Sequence, residues 1–285
     1  MHSILLIHIF KRIGLIFREI SFLCYSFYKK FDRYSYLNRD TKTILDKNII
    51  FENKHKGKRA FVIVNGPSLK NQNLNLLKDE ITFVVSAFYK HDVINIWQPT
   101  YYSILDKAFF ENTEKAKLFF EELNRKIHTS NFFIPLFRGY KANNERKLLP
   151  MEKTFYIATA GLPNNKIDMT KIVQSFQSVS SFALSQAIYM GCSEIYLLGF
   201  DHDYLAYRGI DRHFYSGGTL KGHVSSNTPL SEMYTYDEEM TACLKLWKNY
   251  RSLLKIAQKK GIKIYNATDG GYLDVFERVK YESLF

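Results

Sequence analysis

The sequence predicts a single α/β domain built on a mainly parallel β-sheet. Three observations carry that expectation. Short apolar runs rich in β-branched residues recur along the chain, as at Ala60–Val64 and Glu194–Leu198, and strands buried on both faces read this way. Segments with helical periodicity separate these runs, which is the pattern of βαβ units. At 285 residues, with 14 glycines and only 6 prolines, the chain suits one large domain and lacks a flexible or polyproline linker.

The first 57 residues are expected to form an N-terminal amphipathic helix and a basic linker. Ile9, Ile13, Ile16, Ile20, Leu23 and Phe27 recur at spacings of four and three and make one apolar stripe. Lys11, Arg12, Arg18 and Glu19 sit largely off it and interrupt the apolar run before a spanning length of about 20 residues. These charges follow the apolar run rather than precede it, which argues against a signal peptide. The helix suits an anionic membrane surface, with its basic residues at the headgroups. The alternative is a helix packed on the core or on a second subunit.

The polar, basic stretch from Asn53 to Arg59 places the start of the folded domain at residue 58. Ala60–Val64 reads as its first strand. Asn65-Gly66-Pro67-Ser68-Leu69 follows, then a helix-like segment to about Leu77. Ile81–Val85, Tyr101–Leu105 and Asn131–Leu136 read as further strands, and Phe109–Asn124 as an amphipathic helix. In the second half, Ser180–Met190 reads as a helix capped by Gly191, Glu194–Leu198 as a strand, Glu232–Lys260 as a long helix and Ile262–Tyr265 as a last strand. The stretch at about 201–230 is polar, rich in Gly, His and Tyr, and has no period. A loop that long inside a compact domain reads as a functional lid.

Charge and cysteine content narrow the partners. There are 40 Lys and Arg against 28 Asp and Glu, a net charge of +12, which attracts polyanions. The sequence has no zinc-finger spacing, RNA-binding aromatic signature or long basic tract, so nucleic acid is not expected. Cys24, Cys192 and Cys243 are odd in number and far apart, which fits a reducing compartment and offers no zinc spacing.

Ligands of open α/β sheets bind at the carboxyl ends of the strands, and two such ends stand out. At Asn65, Gly66, Pro67 and Ser68, glycine allows close backbone approach and serine can cap a following helix whose N–H groups face an anion. This is neither a G-x-G-x-x-G fingerprint nor a P-loop. At Gly199-Phe200-Asp201-His202-Asp203-Tyr204, a polar cluster follows a strand directly. Its Asp201-x-Asp203 pattern could hold Mg²⁺ or Mn²⁺ with phosphate oxygens. The lid adds His213, Tyr215 and His223, with Tyr204, Tyr207, Arg208 and Arg212 nearby. A histidine suits a general base, and Tyr and Arg can hold a departing phosphate without a metal. Ser178, Ser180 and Ser181 make a further anion-binding corner or a simple helix cap. Asn266-Ala267-Thr268-Asp269-Gly270-Gly271 either lines the site or turns the chain.

These blocks resemble a known family. The strand followed by Asn65-Gly66-Pro67-Ser68-Leu69 is similar to the N-G-P-S-L signature of bacterial sialyltransferases with the modified GT-A, single-Rossmann fold. The stretch 178–204 resembles their serine-rich corner, helix, strand and G-x-D turn. It is also similar to the related motility-accessory-factor and MptE-like Rossmann family, in which His213-Phe214-Tyr215 and Asn266-Ala267-Thr268 look like recurrent elements. The likeness covers roughly residues 58 to 275.

The sialyltransferase resemblance implies a CMP-activated nonulosonic acid donor, inversion at the anomeric carbon, and no obligatory metal, with Mg²⁺ optional. It implies that Asn65, Gly66, Pro67 and Ser68 contact the nucleotide, that Ser180 faces the donor carboxylate or phosphate, and that Gly199 and Asp201 meet the cytidine ribose. Ser86 stands where that family has asparagine, and Asp106 joins the expected binding residues. Asp203 replaces the family's tyrosine, with Tyr204 one residue later. His213 matches the first histidine of an H-Y-x-G-H segment, and His223 lies ten residues on.

The expected function is therefore an inverting glycosyltransferase of surface glycan synthesis, peripheral on the cytoplasmic face of the plasma membrane. His213 is the base, with His202 and His223 as alternatives, while Tyr215, Tyr204 and Arg212 neutralise the leaving phosphate. The acceptor is a glycan or lipid-linked glycan in polysaccharide or lipopolysaccharide synthesis, and a homo-oligomer is open. The alternatives are an MptE-like pyrophosphokinase using ATP and Mg²⁺ held by Asp201, Asp203 and Asp106, a D-x-D metal-dependent sugar transferase, and a non-catalytic nucleotide-sugar-binding protein.

Overall fold

Alternate residues of the first strand, β1 (Arg59–Ile63), divide between two cores: Phe61 and Ile63 enter one, and Ala60 and Val62 the other. Both faces are buried, which is why the strand reads as a continuous apolar run. The computed structural model describes Phe17, Ile20, Ser21, Cys24 and Tyr28 and residues 38–161, 166–207, 210, 212–215 and 235–285. Seven further strands join β1: β2 (Ile81–Val85), β3 (Tyr101–Ser103), β4 (Asn131–Pro135), β5 (Thr154–Ile157), β6 (Glu194–Leu198), β7 (Lys263–Asn266) and β8 (Glu277–Arg278). They form one sheet in the order β5-β4-β3-β2-β1-β6-β7-β8, and every pairing is parallel. The chain is thus a Rossmann-like α/β domain, as the sequence predicts.

Helices cover both faces. The α-helices from Arg39 onward are α1 (Arg39–Asp46), α2 (Glu114–Lys126), α3 (Lys141–Arg146), α4 (Val179–Tyr189) and α5 (Tyr236–Lys259). Helix α4 is buried at every position from Ser180 to Tyr189, because α5 covers the side that the sheet leaves open. Its small residues allow that close approach. On the opposite face α2 supplies Phe119, Phe120 and Leu123 to the other core.

Residues ahead of 58 pack against the sheet. Leu45 and Phe51 are each 1% exposed, and the Asn48 side-chain amide donates to the carbonyls of Tyr156 and Met169, both at 2.8 Å. A polar stretch at 53–59 hid this, because it is a surface turn between two packed segments. The segment after Ser68 is two 3₁₀ turns, Pro67–Asn71 and Leu74–Leu77, rather than a helix. Asn73 accepts from the Asn75 N–H between them, and such local side-chain bonds compete with helix. The expected helix from Phe109 begins instead as a 3₁₀ turn, Lys107–Phe110, with α2 restarting after Thr113. Strands β5 and β8 and helices α1 and α3 are too short to give a clear period.

Of the apolar N-terminal stripe only Ile20 lies among the described residues, where it is exposed; Ile9, Ile13, Ile16, Leu23 and Phe27 lie outside them. Among the described residues no helix is long and apolar enough to cross a membrane.

Candidate functional site

The strand order reverses beside β1, with β2 on one side and β6 on the other. Loops leaving these strands diverge there and open a crevice, the usual ligand position in open α/β sheets. Here the crevice is a cleft of about 330 Å³. Pro67, Ser68 and Asn71 form one wall. Asp201, Asp203, Tyr207 and Arg212 form the second, and Asp269, Gly271 and Tyr272 the third.

The first two walls are in direct contact. The Gly66 N–H donates to the Gly199 carbonyl at 3.1 Å. A Cβ on Gly66 would lie 1.8 Å from Asp201 Oδ2 and 2.2 Å from that carbonyl. Gly199 has φ +72, and a Cβ there would meet the Val64 carbonyl at 2.3 Å. Both positions therefore require glycine. Ser68 donates twice to Asp201, from its N–H to Oδ1 at 3.2 Å and from its hydroxyl to Oδ2 at 2.8 Å. Burial raises the Asp201 carboxyl above its ordinary range, and the Ser68 bonds oppose that shift. Ser68 is thus the tie between the loops rather than a helix cap.

The third wall is tied to the second. The Tyr272 N–H donates to the Asp201 carbonyl at 2.7 Å, and the Phe200 N–H to Thr268 Oγ1 at 2.9 Å. Asn71 Nδ2 donates to Asp269 Oδ2 at 2.9 Å and links the third wall to the first. Asn71 and Tyr272 were not among the expected site residues, whereas Tyr207 was named with the lid and Asp269 with the polar turn after β7. The polar turn after β7 was the available signal for Asp269, and it lines the site as well as turning the chain.

Asp203 and Arg212 form an ion pair through Oδ2 and Nη2, with Nε 3.4 Å from Oδ1. The guanidinium carbon lies 4.1 Å from the Tyr207 ring centroid. The bond to Asp203 raises the Arg212 pKa further. Among the described residues, no three His, Cys, Asp or Glu side chains converge as a metal set. The two carboxylates of the D-x-D pattern serve different partners, Ser68 and Arg212.

The described part of the lid leans on the β1 and β2 loops. The Phe214 N–H donates to the Asn65 carbonyl at 3.0 Å, and its ring packs 5.1 Å from His91. His213 stacks on Tyr215 at 5.0 Å, and Lys90 Nζ lies 5.0 Å from the Tyr215 ring centroid. Asn65 Nδ2 donates to the Val85 carbonyl at 3.3 Å, while its buried Oδ1 has no partner among the described residues. Ser86 has φ +47, and its carbonyl accepts from the Tyr102 hydroxyl at 2.6 Å.

Other expected site residues sit elsewhere. His202 Nε2 lies 2.7 Å from the Tyr250 hydroxyl, which is 2.6 Å from Ser180 Oγ. Ser180 in turn bonds Ser178. His202 and Ser180 therefore meet through Tyr250 beneath α5, and neither lines the crevice. Burial lowers the His202 pKa to about 4, which makes it a poor base near neutrality. Tyr204 bonds Cys243 of α5, and burial raises its phenol. Asp106 accepts from the Ala108 N–H at 3.0 Å and caps a turn after β3. His223 and Arg208 lie outside the described residues.

A family model described as 6-hydroxymethylpterin diphosphokinase MptE-like matches residues 36–206. No curated protein matches the sequence. Among solved structures, the sialyltransferase CstII from Campylobacter jejuni, in complex with cytidine-5'-monophosphate, is 16% identical with a TM-score of 0.45, covering 79% of this chain and 85% of that one. The sialyltransferase CST-II with a trisaccharide acceptor and CMP is 14% identical with a TM-score of 0.45, covering 78% and 86%. The monofunctional α-2,3-sialyltransferase Cst-I from Campylobacter jejuni is 17% identical with a TM-score of 0.44, covering 78% and 80%.

Proposed function

The chain belongs to the MptE-like family, and from that premise we propose that it is a transferase that grips a nucleotide-activated donor in the crevice between β1 and β6. The finer reading is an inverting glycosyltransferase that moves a nonulosonic acid from a CMP-sugar to a glycan acceptor. The observation that carries it is the junction of the two glycine motifs at the strand-order switch. Gly66 lies against Asp201, and Ser68 holds that carboxylate in place.

His213, stacked on Tyr215 beside the Asn65 loop, takes the proton of the acceptor hydroxyl. The acceptor oxygen attacks the anomeric carbon from the face opposite CMP. The bond from that carbon to the phosphate oxygen breaks, and CMP leaves with the electron pair. Arg212, at the crevice wall, offsets the charge on the leaving phosphate, as preorganised cations do in transfer sites. The N-terminal stripe and the net charge of +12 support a place at an anionic membrane face, with a lipid-linked acceptor.

The family match favours a second reading, a diphosphokinase using Mg²⁺-ATP as substrate on a pterin alcohol. It needs carboxylates for the nucleotide's cation, yet Asp203 is paired with Arg212 and Asp201 with Ser68. A cation would have to share these carboxylates with Ser68 and Arg212, so this reading ranks second.

A thermal-shift comparison with CMP, CDP, UDP, GDP and ATP, each with and without Mg²⁺, separates the two. A ligand at 100 times its dissociation constant stabilises the fold by about 2.7 kcal/mol. Stabilisation by CMP or CDP without metal is expected. Metal-dependent stabilisation by ATP, with none by CMP, would sink the first reading.

A further inference from the structure

Helix α5 sends none of its residues into the crevice, yet Trp247 and Tyr250 reach the turns that build two of its walls. Tyr250 is fully buried. Its hydroxyl lies 2.7 Å from His202 Nε2 and 2.6 Å from Ser180 Oγ of α4. A hydroxyl can donate one bond while accepting another, so Tyr250 serves both partners at once. Its ring also packs 5.7 Å from Phe276, and Trp247 Nε1 donates to Asp274 Oδ1 at 2.7 Å. Both contacts fall on the chain just after Tyr272 of the third wall.

His202 is the middle residue of Asp201-His202-Asp203. Its neighbours on both sides line the crevice, where Asp201 accepts from Ser68 and Asp203 pairs with Arg212. The imidazole instead sits among the rings of Phe200, Trp247 and Tyr250, at centroid distances of 5.8, 5.6 and 5.5 Å. Among the described residues, the Tyr250 hydroxyl is its only hydrogen-bond partner. The backbone of His202 is left-handed, at φ +47. A residue with a Cβ keeps that conformation only where its surroundings fix it. Here the fixing contacts come from Phe200 and from α5.

We infer that Tyr250 is a positioning residue for the crevice: through His202 it holds the turn that sets Asp203, and with it Arg212, on the second wall. Tyr250 touches no reacting atom. Its effect on catalysis rests on the transferase reading, in which Arg212 meets the leaving phosphate, whereas the positioning itself does not.

The test uses the full chain labelled with ¹⁵N and reads the Arg212 Nε–H resonance, identified by its absence from Arg212→Lys. Tyr250→Phe keeps the ring and removes only the shared hydroxyl. His202→Asn breaks the same tie from the other side and suits the left-handed backbone. Tyr156→Phe is the control, because it also removes a buried hydroxyl, one that accepts from Asn143 Nδ2 at 3.0 Å, on a strand at the sheet edge. Urea midpoints confirm that each variant folds. The Arg212 signal should shift or broaden in Tyr250→Phe and in His202→Asn and stay in place in Tyr156→Phe. A signal unchanged in both test variants overturns the proposal, as does an equal change in the control, which would report general loosening. Turnover of CMP-sugar is measured beside it. Both test variants should lose about tenfold in kcat, the effect of weakening a charged hydrogen bond at the leaving group, with KM within about twofold. Full turnover in both overturns the positioning role. A parent chain that turns over no CMP-sugar removes the transferase reading, and the Arg212 signal still decides the positioning.

Discussion

Ser68 and Asp201, 133 positions apart, are joined by two hydrogen bonds that close the crevice floor. The bonded pair holds two loops from adjacent parallel strands at one distance. A ligand entering the crevice therefore meets walls already in place, which lowers the ordering cost of binding.

The contact between Gly66 and Asp201 leaves no room for a methyl group. Gly66→Ala should destabilise the protein by about 1–3 kcal/mol, the usual cost of overpacking, and should abolish nucleotide-dependent stabilisation. Urea denaturation with and without CMP measures both effects. An unchanged midpoint with intact CMP binding would refute the close approach.

If His213 is the base, His213→Ala should lower the turnover of CMP-sugar by about 10²–10⁴-fold while leaving CMP affinity within about twofold. Steady-state kinetics beside a thermal-shift titration reads the two separately. Equal losses in binding and turnover would point to a structural role.

Arg212 combines a hydrogen-bonded ion pair with a stacked aromatic, a geometry that lysine does not reproduce. Arg212→Lys and Arg212→Ala should therefore both slow transfer, by about 10²–10³-fold if the guanidinium stabilises the leaving phosphate. Full activity in the lysine variant would show that a point charge is enough.

His202 should make the fold sensitive to acid. Its ordinary pKa of 6.5 falls to about 4 in the folded chain through burial, with Asp203 opposing the shift. Below pH 6.5 the unfolded chain binds a proton that the folded chain refuses until about pH 4, so stability drops as pH falls across that window. His55 acts in the same direction, lowered to about 4 by burial and then by Lys54 and Lys58. Burial lowers His91 as well, and His202→Asn removes one of these groups while tolerating the left-handed backbone at φ +47. The drop in urea midpoint between pH 7 and pH 4.5 should be smaller in this variant than in the parent chain.

The left-handed backbone of Ser86 (φ +47) suits asparagine better than serine. Ser86→Asn should fold with unchanged or slightly higher stability, measured as the thermal midpoint. A fall of several degrees would show that the Ser86 hydroxyl itself is needed.

The sequence by itself determined the strands of the sheet centre, because residues buried on both faces leave an unbroken apolar run, as in Ile81–Val85 and Glu194–Leu198. It also determined the two glycine loops, since a backbone that must pass within contact distance of another loop admits only glycine. Tertiary structure alone decided what those loops do to each other. Nothing local to Ser68 announces Asp201 as its partner, and nothing local to Asp203 announces Arg212. Asp269 and Tyr272 reach the crevice only because β7 lies beside β6. His202 and Ser180 leave it for the same kind of reason, since α5 brings Tyr250 between them. Side-chain partners across parallel strands depend on strand order, which the long crossover connections fix and which residue periodicity does not encode.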